Sequence, residues 1–599
     1  MNGEVVHFPY DPMAYPVGPD TVEVVLRAPA HAVDAAHLAF TDRFTPSAQP
    51  QVVPMRLMGS GEDHDYFVGR MSLRYGRVQY YFILKTGDAA VYLGQHGIFS
   101  SPDASEPWNF GFHYPYLWWR TNGLDRPPDW AYDSIVYQVF VERFANGDPS
   151  NDPPGTGGWY DPPRTDSFAG GDLQGIIDRL DYIAELGVNC LYLTPIFQSP
   201  SNHKYDTTDY MRIDRHFGDE AVAKRLVQGC HARGIRVVLD AVFNHSGHMF
   251  FAFQDVIARG PNSPYVGWFN VHDLPVRIAP RPNYETFSVD IWTMPKLRTD
   301  NPEVREYLIG VAEHWTRALD IDGWRLDVAD EVDPEFWREF RRRIRAIKPD
   351  ALILGEVHHD ATTFLRGDQF DSVMNYLWRR ACLDYFARRR CGTQRFASDL
   401  LRVRTRYRKP VAFALWNLLG SHDKERILTK CQGDVRREML ATLFQFTYVG
   451  VPYIYYGDEI GMEGGNDPDC RRSMIWDESR WNRRLLDHYR QLAALRGCLP
   501  ALRRGDVMAL MADGPRSPLV YARWDDASCI LVALNNTDGP ATVDMELVRR
   551  RMRKDPELER WAGSRADLVF ALAPDRVPAS CTGSLLNLPA MGGAVLHTG

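Results

Sequence analysis

The stretch GWRLDVADEVD, residues 323–333, sets an arginine two places before an aspartate inside an otherwise apolar run. On a strand alternate side chains share a face, so Arg325, Asp327 and Ala329 point one way and Trp324, Leu326 and Val328 the other. If both faces are covered, as in a parallel sheet, Asp327 is costly to hold as a carboxylate unless Arg325 or other donors stabilise it. A purely structural buried salt bridge explains the pair equally well. What the rest of the chain brings to the same place has to decide.

Similar short apolar runs recur on both sides of this one. They are SIVYQVFVERF (134–144), NCLYLTPIF (189–197), RVVLDAVFNH (236–245), ALILGEV (351–357), DSVMNY (371–376), ALWNLLGSH (414–422) and VPYIYYGDE (451–459). With GWRLDV they make eight strands separated by helical patterns, which predicts an α/β fold, a (β/α)8 TIM barrel spanning residues 125–499. Active sites in that fold form at the C-terminal ends of the strands, where these runs carry their polar residues. An insertion at 246–301 after the third strand predicts a small subdomain over the site. Residues 1–124 read as alternating strands between Gly, Pro and Asp turns, as in TVEVVLRAP (21–29) and RVQYYFIL (77–84), and predict an N-terminal β-sandwich. The Pro pair in Leu124–Trp130 marks a linker, and residues 500–599 return to strand texture, predicting a C-terminal β-sandwich.

The chain has 599 residues, a net charge of -8 and a sequence pI near 6.1, so no basic footprint for nucleic acid is present. The arginine-rich run Trp337–Arg345 reads as a solvated helix face. No apolar stretch is long enough to span a bilayer and the N-terminus lacks a secretory pattern, so a cytoplasmic location is expected. Nine scattered cysteines form no CxxC pair and read as reduced packing residues.

Four strand ends carry clusters: DAVFNH (240–245), GWRLDV (323–328), ILGEVHHD (353–360) and LLGSHDKER (418–426). In order and spacing they resemble the four conserved regions of the alpha-amylase family of glycoside hydrolases. YQVFVERFANGDPSNDP (137–153), SPSNHKYDTTDY (199–210), MPKL (294–297) and GGNDPDCRR (464–472) resemble its cyclomaltodextrinase, neopullulanase and maltogenic amylase branch. Glycosidic cleavage needs one carboxylic acid to protonate the leaving oxygen and one carboxylate to attack or stabilise the anomeric carbon. The resemblance implies Asp327 as nucleophile, Glu356 as general acid/base and Asp423 as the carboxylate that holds sugar hydroxyls. Arg325 then keeps Asp327 ionised, and Asp240 is a structural carboxylate near Arg325. His203, Tyr205, His245 and His422 are expected on the sugar at the cleavage point, Asp467 and Arg471 on the next sugar toward the non-reducing side, and Phe287 and His358 among the other substrate contacts.

The run NGDPSNDP packs Asn146, Asp148, Asn151 and Asp152 into one loop, which reads as a plain Asx turn or as a hard-cation site. GGDLQG (170–175) also matches the branch, and with it the resemblance implies structural calcium held by these four residues, the Gly170 carbonyl and Asp172. It further implies a homodimer through the N-terminal domain, acting on cyclomaltodextrins, pullulan and short malto-oligosaccharides with some transglycosylation. An α-glucosidase or a transglycosylase shares every one of these residues, whereas a non-catalytic glycan-binding scaffold predicts a missing carboxylate. The chain departs from the branch at Asp330, Arg298 and His358, where Asn, Asn and Trp are usual. Imidazole offers less apolar face than indole, so His358 is expected to weaken acceptor binding.

Overall fold

The computed structural model describes residues 4–44, 49–72, 77–102, 110–114, 126–573 and 578–598. Parts of the 1–124 segment and the first residues of the Leu124–Trp130 linker lie outside the described residues. Eight short strands form one parallel sheet: β1 (Val136–Val139), β2 (Cys190–Leu193), β3 (Arg236–Ala241), β4 (Gly323–Leu326), β5 (Leu352–Gly355), β6 (Ser372–Val373), β7 (Trp416–Leu418) and β8 (Val451–Tyr455). Their order is β6-β5-β4-β3-β2-β1-β8-β7. A parallel bridge between Met374 and Trp416 returns β7 to β6 and closes the barrel. All eight runs read from the sequence are its strands. They are continuous apolar runs because both faces are covered, outside by helices and inside by rings such as Tyr192, Trp416 and Tyr453.

At the β6–β7 seam side chains take over from the backbone ladder. Ser372 Oγ donates to Ala414 O at 2.7 Å, and Asn375 Nδ2 donates to Asn417 Oδ1 at 2.9 Å. The Asn375 backbone N–H reaches Trp416 O at 2.8 Å.

Strand β4 is shorter than the sequence predicts. It ends at Leu326, and Val328 takes a left-handed backbone, φ 44 and ψ 48, before a 3-10 turn at Ala329–Glu331. Ala329 therefore does not share a strand face with Arg325 and Asp327. A β-branched residue in this region costs on the order of 1–3 kcal/mol. The bend turns the Val328 N–H onto Glu356 Oε2 at 3.2 Å, an interaction an extended strand would not reach.

The run Trp337–Arg345 also corrects the reading. It lies on the helix Pro334–Ile347, where Trp337, Phe340 and Ile344 are fully buried and Arg341 is buried against Asp371 at 2.8 Å. Only part of that charged run is a solvated face.

Before the barrel, strands Ala14–Gly18, Thr21–Pro29, His64–Ser72 and Arg56–Ser60 form one antiparallel sheet, and a second is built around Ala35–Asp42 and Val78–Thr86. Val22, Val24 and Leu26 meet Leu38, Phe40 and Phe82 between them. After the barrel, a five-stranded sheet centred on Cys529–Leu534 and a three-stranded one centred on Leu585–Leu588 enclose a separate apolar core. The insertion after β3 holds one α-helix, Phe251–Arg259, two short 3-10 turns, and irregular chain pinned by bridges His245–Lys296 and Thr286–Pro295. All nine cysteines are free. Among the described residues no helix is long and apolar enough to cross a membrane.

Candidate active site

The C-terminal mouth of the barrel opens into a cavity of about 510 Å³. Asp327, Glu356, Asp423, His203, Tyr205, His245, Phe287, His358, His422, Asp467 and Arg471 all line it, so the structure brings together every lining residue expected from the sequence. Arg325 lies directly beneath, fully buried. Thr165, Met294 and Lys424 also line the cavity and were not singled out in the sequence.

Arg325 organises the floor. Its Nη1 donates to Asp240 Oδ1 at 2.9 Å and Asp327 Oδ1 at 2.8 Å, and its Nη2 lies 2.8 Å from Glu356 Oε2. Tyr192 and Tyr205 hydroxyls donate to Asp240 Oδ2 at 2.6 and 2.9 Å. Asp240 is thus the structural carboxylate expected beside Arg325. Three carboxylates thus share the one guanidinium expected to favour the ionised Asp327. Burial pushes the Asp327 carboxyl well above the usual range, Arg325 opposes this, and the charges of Glu356 and Asp240 add to it. Burial also acts on Glu356, but there Arg325, the His358 hydrogen bond and the Val328 N–H outweigh it and hold the carboxyl below its ordinary range. The three carboxylates and the guanidinium act on one another at close range, so their titration belongs to the set.

Asp423 stands across the cavity, after β7. Arg471 Nη2 contacts its Oδ1 at 3.1 Å while Arg471 Nη1 holds Asp467 Oδ1 at 3.0 Å, and Arg471 Nε donates to His422 O at 2.8 Å. One arginine therefore fixes two acidic groups and the turn that carries a third site residue. His422 stacks on Tyr205, ring centroids 5.5 Å apart at 5°, and its Nε2 lies 2.7 Å from the Tyr205 hydroxyl. His245 packs on Phe287 at 4.9 Å, and its Nε2 is buried without a partner among the described residues, free to meet a sugar hydroxyl. Burial lowers His203 and His422 to about 4 and His245 to about 3. At neutral pH all three are uncharged imidazoles, suited to hydrogen-bond hydroxyls.

His358 lies in the cleft, its ring flat on Tyr376 at 3.8 Å and 19° and its Nε2 3.3 Å from Glu356 Oε1. Tyr376 closes the run DSVMNY and begins a helix, and nothing in that run marks it as a site residue. Of the other departures, Asp330 also lines the cavity and bonds His359 Nε2 at 2.7 Å, whereas Arg298 lies outside its lining and pairs with Asp300 at 2.9 Å.

In the loop after β1, Asn146 Nδ2 donates to Asp152 Oδ1 at 2.8 Å, and the Asn146 and Asn151 side-chain oxygens are buried without partners. Gly170, at φ 85, closes against them; a Cβ there would sit 2.4 Å from Asp152 Oδ1. Asp172 accepts from the Gly147, Asp148 and Gly175 N–H groups and from Asn151 Nδ2, so its oxygens already organise the loop. Among the described residues, no group of three His, Cys, Asp or Glu side chains is placed to hold a metal.

Comparison with known proteins agrees with this geometry. Residues 138–492 match the alpha amylase catalytic domain and residues 1–118 the alpha amylase N-terminal ig-like domain. The chain is 46% identical over 551 residues to a cyclomaltodextrinase of Thermoanaerobacter pseudethanolicus, covering 92% of this chain and 95% of that one. It is 48% identical over 539 residues to neopullulanase 2 of Thermoactinomyces vulgaris, covering 89% and 91%. A solved cyclomaltodextrinase superposes with a TM-score of 0.89 at 41% identity over 99% of both chains. With an eightfold barrel, a carboxylate-lined mouth and these relatives, the chain belongs to the alpha-amylase family of glycoside hydrolases.

Proposed function

We propose that this chain is a retaining α-glucan hydrolase cleaving α-1,4 bonds of cyclomaltodextrins, pullulan and short malto-oligosaccharides, with some transfer to sugar acceptors. The observation that carries the reading is the pairing of Asp327 and Glu356 through the two terminal nitrogens of Arg325, with Asp423 across the cavity. Sharing one guanidinium suits the short separation of roughly 5–5.5 Å at which a carboxylate attacks rather than activates water. Asp327 attacks the anomeric carbon as Glu356 protonates the leaving oxygen; Glu356 then takes a proton from the water that releases the sugar from Asp327. Asp423, held by Arg471, grips hydroxyls of the distorted ring, as His203, Tyr205, His245 and His422 do from the other walls. Burial raises the Asp327 carboxyl, while Arg325 and the His358 hydrogen bond outweigh burial at Glu356 and lower it, whereas the reaction needs the proton on Glu356. Positive charge developing at the anomeric carbon favours the Asp327 anion, and that anion in turn raises Glu356.

Incubation with cyclodextrin, pullulan and maltotriose, followed by chromatography, tests the substrate class; proton NMR of the first product is expected to show the α-anomer. Initial β-anomer, or no turnover of any of the three, would refute the reading.

The loop after β1 supports a structural calcium. The orphaned oxygens of Asn146 and Asn151, with Asp148, Asp152 and the Gly170 carbonyl, would hold it, while Asp172 keeps the loop in shape. Burial raises the Asp152 carboxyl and the nearby charges of Asp172 and Asp148 add to this, a repulsion that a cation relieves. When bound, the ion supplies charge compensation and a tie between residues 146–152 and 170–172. Chelation is expected to lower the melting temperature, by about 2.7 kcal/mol of lost stabilisation if calcium had stood at 100 times its Kd. An unchanged melt, with no calcium by elemental analysis, counts against it.

We further read the protein as a homodimer joined through the N-terminal module, the arrangement its family likeness implies. Sedimentation of the full chain at micromolar concentration is expected to give twice the monomer mass; a monomer there would end this reading. Free thiols at all nine cysteines support a reducing, cytoplasmic setting.

A further inference from the structure

We propose that His358 is a positioning residue for the acid/base carboxyl, fixing how tightly Glu356 keeps its proton and so where activity is lost at alkaline pH. The inference rests on the reading of Glu356 as the acid/base.

The two oxygens of Glu356 are held differently. Oε2 faces Arg325 Nη2 at 2.8 Å and the Val328 N–H at 3.2 Å, both parts of the barrel floor. Oε1 meets His358 Nε2 at 3.3 Å. Glu356 is 7% exposed, whereas the His358 side chain is 47% exposed, so the imidazole stands between a buried carboxyl and water. The ring is aimed by Tyr376, on whose face it lies at 3.8 Å, and Tyr376 is itself buried at the start of the helix Tyr376–Cys382. Tyr376 is covered on another side by Lys424, whose Nζ is 5.9 Å from the ring centroid. The charged or titratable groups that share the cavity with the pair include Asp327 and Asp330 from the end of β4, Asp330 carrying His359, then His422 and Asp423 from the turn after β7, His203 and His245 from the loops after β2 and β3, and Asp467 and Arg471 after β8, with Asp240 reached through Arg325.

An N–H on Oε1 favours the carboxylate over the acid, as the partners of Oε2 do. Of these partners, His358 can be changed without leaving Asp240 and Asp327 unpaired. Losing it should make the last proton of the Asp327–Glu356 set harder to remove, moving the alkaline limb of the pH profile upward. It should also shift that proton from Asp327 toward Glu356, the form the chemistry uses.

Two substitutions separate the hydrogen bond from the stack. His358→Phe keeps an aromatic face on Tyr376 and removes the N–H; His358→Gln keeps an N–H and removes the ring. Profiles of kcat/KM against pH with maltotriose should show the alkaline limb of His358→Phe displaced upward by about one pH unit. His358→Gln should stay close to the parent. Superimposable limbs for His358→Phe and the parent, or a displacement in His358→Gln alone, would overturn the proposal and leave His358 a packing residue. α-Maltosyl fluoride, whose leaving group needs little protonation, supplies the control. If Glu356→Gln on this fluoride still shows the alkaline limb that the parent shows on maltotriose, that limb belongs to another group and the proposal falls; if Glu356→Gln gains nothing on the fluoride relative to maltotriose, the acid/base reading of Glu356 itself has failed.

Discussion

Asp327→Asn is expected to reduce kcat on maltotriose by roughly 10³–10⁵-fold while the protein remains folded. The amide fills the same space and still accepts from Arg325, but it cannot carry the negative charge that meets the anomeric carbon. Glu356→Gln removes the proton donor instead, an effect of about 10²–10⁴-fold. The two should part on α-maltosyl fluoride, where Glu356→Gln recovers much of its first step and Asp327→Asn does not. The melting temperature gives a second, independent readout. Because the folded Asp327 carboxyl is raised, its stabilising contribution is fully present below the unfolded value near 3.8 and is lost as pH rises through the folded one. At neutral pH the aspartate is therefore a burden on the fold, and Asp327→Asn should leave the melting temperature unchanged or higher. Activity within tenfold of the parent in either variant would sink the assignment of roles.

Arg325→Met should be the most damaging single change to the fold around the site. It leaves Asp240, Asp327 and Glu356 buried together without their shared cation, a loss of about 3–5 kcal/mol for a broken buried ion pair. Urea unfolding at pH 7 is expected to report this loss, and activity should vanish with it because the two reacting carboxyls lose their common anchor. Lowering the pH protonates the stranded carboxyls, so the deficit should shrink toward pH 4. Adding Asp240→Asn to Arg325→Met should recover part of it, since one of the uncompensated charges has gone. A deficit below about 1 kcal/mol at pH 7 would mean that water or another group compensates the cluster, against the burial seen here.

Much of this architecture was legible because the barrel repeats one simple signal. Each strand is a short apolar run flanked by helical periodicity, and each run that matters for chemistry ends on Asp, Glu or His. The pairing of Arg325 with Asp327 could be read two residues apart. That Asp240 and Glu356 converge on the same guanidinium could not, because it depends on β3, β4 and β5 lying side by side. The local pair shows the attraction between Arg325 and Asp327 but not the two further carboxylates that divide it. The strand end at Leu326 was also hidden: nothing in the alternation of GWRLDV announces that Val328 adopts a left-handed backbone. His358 was visible as an unusual residue, but its partner Tyr376 sits 18 positions on, and only the ring contact reveals what orients the imidazole.

The side-chain closure of the barrel between β6 and β7 separates two kinds of control. Asp327 and Glu356 follow β4 and β5, which are joined by an unbroken backbone ladder, and such a ladder is largely indifferent to which side chains hang from it. Asp423 follows β7, on the far side of the seam, where Ser372 and Asn375 do much of the joining. The distance between the two reacting groups is thus inherited from one ladder, while the third acidic group is placed by the β7–β8 ladder, by Arg471 and by the side-chain seam together. A change at Ser372 or Asn375 would slacken only the seam side of that support and leave the bond-breaking pair in register, so the barrel can yield on its binding wall while its reacting wall stays stiff.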